Sequence, residues 1–148
     1  MPNESCPIPT PSPADEAAAI ARMLKAKRIA VVGLSDDPMR ASFGVADYLR
    51  SHGYEIVPVN PNHVEVFGLK CYTRLADVPE AIDLVNVFRR PGFCANVTRE
   101  AIEVGAKGVW LQAGIVNDEA KRFAAEAGID FVQNRCIMVE HMHRGRGV

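Results

Sequence analysis

A chain of 148 residues, 48% hydrophobic and 24% charged, can build one full core and is too short for two ordinary domains. Its formal charge of −1 excludes a global basic field that would draw it onto nucleic acid or an anionic membrane, so an anionic ligand must be held by local backbone dipoles and a few basic side chains. The N-terminus lacks a basic n-region and an apolar h-region, no apolar run approaches the ~20 residues of a membrane helix, and Cys6, Cys71, Cys94 and Cys136 form no metal knuckle; the expected setting is a reducing cytoplasm with free thiols.

Pro2, Pro7, Pro9, Pro11 and Pro13 make the start of the chain poor in backbone donors, and residues 1–11 read as a disordered tail. Residues 12–148 form the expected domain. Ser12 reads as an N-cap with Pro13 at the first helical position, Asp15 and Glu16 suit the positive end of the dipole, and the Ala-rich run 17–26 continues as helix. Next comes a strand at 28–33 (RIAVVG), a polar loop, and a helix at about 42–52 closed by Gly53. Residues 55–59 read as the second strand, with Pro58 at its end where a missing N–H does no harm. Three more strands are expected at 83–88 (DLVNVF), 107–112 (KGVWLQ) and 129–133 (IDFVQ). Helices at about 93–104 and 117–127 separate them, followed by Gly105 and Gly128. Near-continuous apolar strands joined by helical crossovers imply a parallel sheet covered on both faces. The fold class is α/β: a single doubly wound, Rossmann-like parallel sheet.

In such a sheet, ligands bind beyond the carboxyl ends of the strands, where the strand order reverses. The loop after the first strand runs from Gly33 to Gly44. Gly33 permits close backbone approach, Ser35 and Ser42 offer hydroxyls, and Ser42 is the expected cap of a helix whose free N–H groups face an anion. Arg40 supplies a bidentate phosphate partner. The loop is not G-x-G-x-x-G, and an ordinary connection explains this segment by itself equally well. At the end of the second strand, Asn60 and Pro61 stand where an NAD-binding protein usually has an acidic residue for the ribose hydroxyls, which disfavours a nicotinamide dinucleotide. Arg89 and Arg90 leave the third strand beside the first, either as ligand contacts or as solvated arginines. Gln112 and Gly114 line the same rim at the exit of the fourth.

Elsewhere the bland readings prevail. Cys136, His141 and His143 do not share a helical face, and are expected as a buried thiol and surface imidazoles on a terminal helix rather than a metal or nucleophile site. His63 is expected to be exposed, Trp110 to be core, and Asp36 and Asp37 to make turn contacts rather than hold a phosphate-bridging metal.

The sequence resembles the stand-alone CoA-binding domain proteins, whose domain also occurs in the α-subunit of succinyl-CoA synthetase and in related acyl-CoA synthetases. The resemblance covers about residues 26–143. It rests on Gly33-Leu34-Ser35 with Pro38, Arg40 and Ser42, Gly53-Tyr54, Pro58-Val59-Asn60-Pro61 and Glu65-Val66-Phe67-Gly68. It continues through Asp77-Val78-Pro79, Val87-Phe88-Arg89, Gly105-Ala106-Lys107 and Val109-Trp110-Leu111-Gln112, to Asn134-Arg135-Cys136 with Glu140-His141. Asn134 stands where the family often has Asp. The resemblance implies coenzyme A or an acyl-CoA at the strand ends. The Gly33–Ser42 loop with Phe43 would take the pyrophosphate, and Asn60-Pro61 and Phe88-Arg89 would flank the nucleotide. The synthetases catalyse through a phosphohistidine domain and an ATP-grasp partner, neither of which fits into this chain, so their activity does not carry over.

The expected function is thus a CoA-binding, non-catalytic module of acyl-CoA metabolism, with a second copy or an acyl-CoA enzyme as its macromolecular partner. The alternatives are an NAD(P)-binding reductase-like enzyme, a Cys136-dependent acyl transferase, and a protein-interaction module whose ligand pocket is vestigial.

Overall fold

The computed structural model describes residues 13–144; the expected Pro-rich tail and the Ser12 cap lie outside them. Five parallel strands form the sheet in the order β2-β1-β5-β6-β7: β1 (Arg28–Val32), β2 (Glu55–Val59), β5 (Leu84–Val87), β6 (Gly108–Leu111) and β7 (Asp130–Val132). Every one coincides with a run expected from the sequence.

Helices α1 (Pro13–Met23), α2 (Ala41–Ser51) and α5 (Ile137–Arg144) cover one face; α3 (Cys94–Glu103) and α4 (Asp118–Ala127) cover the other. Alternate strand residues serve the two cores, as a strand period of two requires. Ile29, Val31, Leu84 and Trp110 pack with Ile20, Leu24, Leu49 and Ile137 on the first face. Ala30, Val32, Val85 and Val109 pack with Val97, Ala101 and Ala120 on the second. Trp110 is fully buried, as expected, and its indole N–H donates to the Arg135 carbonyl at 2.8 Å.

Two details depart from expectation. The connection from β2 to β5 is not a helical crossover. It is a small antiparallel hairpin, β3 (Glu65–Val66) and β4 (Leu69–Lys70), followed by a 3-10 turn at Leu75–Asp77. Strands of two residues carry no periodicity for a sequence to display. Pro58 sits inside β2, paired with Val31, rather than at its end. It is tolerated because β2 is the sheet's edge: the Pro58 carbonyl accepts from Tyr72 on the outer side, so its missing N–H takes no bond from β1.

The order reverses at β1, which lies between β2 and β5. The loops leaving β1, β2 and β5 therefore surround one point at the carboxyl edge of the sheet.

Candidate functional site at the carboxyl edge of the sheet

Gly33 ends β1 in a left-handed conformation, φ 88°, with its N–H donating to the Val59 carbonyl at 2.8 Å. A Cβ here would stand 2.4 Å from the Phe88 carbonyl oxygen, so only glycine lets the exits of β1 and β5 approach this closely. Beyond it the loop is folded by its own side chains. The Ser35 hydroxyl accepts from the Asp37 N–H, and the Asp37 carboxylate accepts from the Met39 N–H. The turn role expected of the two aspartates thus falls to Asp37, while Asp36 lies 3.7 Å from His63.

The expectation that Ser42 caps α2 is corrected. Arg40 occupies the N-cap position with no side-chain cap, and Ser42 lies one residue inside the helix, buried, its hydroxyl accepting from the Ser35 N–H at 3.0 Å. The Ser42 hydroxyl therefore pins the loop to the helix, and the N–H groups of Ala41 and Ser42 belong to the first turn, which has no intrahelical acceptor for them.

These residues frame a cleft of about 380 Å³, within the size range of cofactor sites. Its walls are Gly33, Ser35, Arg40, Ala41 and Ser42 on the α2 side and Asn60, Asn62, His63 and Phe88 opposite. None of the nine is acidic. The donors are a guanidinium, an imidazole, two hydroxyls and the start of a helix, a set that suits an anion.

Six of the expected site residues thus meet in one cleft: Gly33, Ser35, Arg40, Ser42, Asn60 and Phe88. Asn60 has a role the sequence does not reveal. Its carboxamide donates to the Leu34 carbonyl at 3.0 Å and accepts from the Asn62 N–H at 2.9 Å, tying the β1 and β2 loops together. Pro61 and Arg89 line a second cleft of about 360 Å³ on the α3 side of the strand ends, with an apolar floor of Val32, Val59, Leu75 and Val97. The Arg89 guanidinium lies 4.4 Å over the Phe93 ring there, while Arg90 is exposed.

Three expected site residues line neither cleft. The ring of Phe43 packs against Phe67 of the β3–β4 turn at 4.6 Å. Gln112 is buried, and its Oε1 accepts from the Asn86 amide at 3.2 Å and the Ile137 N–H at 3.3 Å. Gly114 turns away, its N–H donating to Asn134 at 2.8 Å. Asn134 has φ 60°, and an aspartate there would accept the same bond. Conversely, His63 is not exposed as expected: it is about three-quarters buried in the cleft wall. A histidine just past a strand end gives no sign of which way it turns.

The terminal cluster is also corrected. His141 is buried, not on the surface; its Nδ1 lies 2.8 Å from the Tyr48 hydroxyl, joining α5 to α2. Cys136 is half-buried and lines neither cleft. Among the described residues, no three His, Cys, Asp or Glu side chains come together as a metal site. Burial raises the thiol pKa of Cys71 and Cys94 above its ordinary value, despite the backbone hydrogen bond with Asn60 at Cys71 and the Arg89 charge near Cys94.

The sequence profile described as the CoA binding domain matches residues 27–142. The chain belongs to this CoA-binding domain family. Its relatives are of two lengths. The Bacillus subtilis protein YneT is 44% identical over 117 residues, covering 79% of this chain and 87% of that protein. The acetate–CoA ligase (ADP-forming) II subunit alpha of Pyrococcus furiosus is 29% identical over 126 residues, covering 78% of this chain but only 28% of the subunit. Among solved structures, a protein of Pyrococcus horikoshii OT3 superposes with a TM-score of 0.81 at 40% identity, covering 95% of this chain and 97% of that one. The Rossmann-like fold of this CoA-binding domain is therefore found both alone and as a fraction of acyl-CoA-forming ligases.

Proposed function

We propose that the chain binds CoA or an acyl-CoA without transforming it, holding the diphosphate in the cleft between Gly33 and His63, and serves acyl-CoA metabolism in a reducing cytoplasm. The observation that carries this reading is the make-up of that cleft: cationic, hydroxyl and helix-start donors and no acid, at the strand-order reversal of a CoA-binding domain. Arg40 and the N–H groups of Ala41 and Ser42 would face the diphosphate, and Ser35 and Ser42 would orient it. When bound, CoA supplies a thiol or thioester for a partner to use. That partner is either a second copy of the chain or an acyl-CoA enzyme, in keeping with the domain's occurrence inside a CoA ligase subunit. Among the described residues no helix is long and apolar enough to cross a membrane.

Thermal denaturation with CoA, acetyl-CoA, NAD and NADP, followed by calorimetry, tests the reading. A ligand at a hundred times its Kd stabilises the fold by about 2.7 kcal/mol and raises Tm by about 5–10 °C at this size. The expected result is a shift with CoA and acetyl-CoA and none with NAD. Arg40→Ala should weaken CoA about tenfold or more, the scale of a charge-assisted hydrogen bond, and Cys136→Ala should leave binding unchanged. A shift with NAD alone would point to a reductase and refute the proposal.

A further inference from the structure

His63 lines the anion cleft with a carboxylate beside the edge of its ring: Nδ1 lies 3.7 Å from Asp36 Oδ2. The two residues come from different loops, β2 to β3 and β1 to α2, and both loops are held in place by the Asn60 carboxamide. With Nδ1 the ring nitrogen nearer Asp36, Nε2 on the opposite side of the ring is the nitrogen available to a ligand.

We infer that His63 is the second cation of the cleft and binds an anion in its protonated form, so that ligand binding takes up a proton from solvent. This rests on the reading of the cleft as a diphosphate site. The charged groups around the imidazole are Asp36, beside Nδ1, and Arg40, which lines the same cleft; the remaining lining residues are neutral. An anion placed between Arg40 and His63 offsets the repulsion and adds an acceptor for Nε2–H, so the bound state favours imidazolium. Imidazole changes charge between about pH 5 and 8, which makes the affinity of this cleft a function of pH over the physiological range.

The sign follows directly. The protonated form binds better, so affinity is full at low pH and falls as pH rises. CoA itself complicates the readout, because its terminal phosphomonoester also changes charge near pH 6. Dephospho-CoA lacks that group and keeps a fully ionised diphosphate, so it is the probe for calorimetry from pH 5.5 to 8.5, in buffers of different ionisation heat. The wild type should lose about tenfold in affinity across this range, the difference between a charged and a neutral hydrogen bond, with proton uptake visible as a buffer-dependent heat. His63→Gln should bind with the weak affinity of the wild type at high pH and show no slope. His63→Lys, charged throughout, should stay near the low-pH affinity of the wild type. A flat wild-type profile, or a slope retained in His63→Gln, would overturn the inference while leaving the cofactor reading intact. Binding of CoA without binding of dephospho-CoA would move recognition to the terminal phosphate and overturn it too. No binding of either at any pH, by folded protein, would overturn the cofactor reading and the inference with it.

Discussion

Replacing Gly33 with alanine probes the close approach of β1 and β5 on which the anion cleft is built. Two costs can be worked from the structure. Gly33 has φ 88°, a region that an L-residue enters at a cost of roughly 1–2 kcal/mol. The added Cβ would lie 2.4 Å from the Phe88 carbonyl oxygen, so the exits of the two strands must move apart. That movement strains the bond from the Phe88 N–H to the Val32 carbonyl, now 2.8 Å long, whose loss costs about 1 kcal/mol. The sum, about 2–3 kcal/mol, corresponds to a Tm lower by about 4–12 °C in a domain of this size. Gly44→Ala is the matched control. Gly44 lies within α2 and an added Cβ there meets nothing within 4 Å, so alanine should stabilise by about 0.5–1 kcal/mol through its helix propensity. Urea unfolding of both variants gives the two numbers. A Gly33→Ala protein within about 1 kcal/mol of the wild type would refute the account of this turn.

Two further variants address stability away from the cleft. Gln112→Leu should cost about 2–3 kcal/mol in urea unfolding, because the Asn86 amide and the Ile137 N–H lose their buried acceptor; CoA affinity should change by less than about twofold, since Gln112 lines neither cleft. Asp83 gives a pH-dependent prediction. Burial would raise its pKa, but the Arg28 and Lys27 N–H groups it accepts, with the charges of Lys107 and Arg28, outweigh that and hold it below the usual carboxylate range. A folded-state pKa below the unfolded one adds stability above about pH 4, lost as pH falls through the folded value. Asp83→Ala should therefore be less stable than the wild type at pH 7, and the gap in unfolding midpoints should narrow as pH is lowered from 5 to 3.

The sheet and its helices were legible in the chain because both signals are local. Runs such as IAVV and GVWL are apolar at every position, as a strand buried on both faces requires. Gly128 after α4 announces the end of that helix, and the structure bears it out with φ 73°; Asn117, read as its first residue, is instead its cap and accepts from the Ala120 N–H. The alternation of strand and helix then identified the carboxyl edge, and with it six residues of the cleft. What the sequence left open was decided by contacts between segments far apart in the chain. Asn60 reads as a ligand contact until Leu34, 26 residues earlier, accepts its amide. Ser42 reads as a cap until Ser35 donates to it. Gln112, Phe43 and Gly114 stand in the right place along the chain, yet their side chains or N–H groups are taken by Asn86, Phe67 and Asn134. His63 turns inward toward a carboxylate on another loop. Period and composition fix which face of an element is buried, whereas the direction of a loop side chain depends on partners that only packing brings within reach.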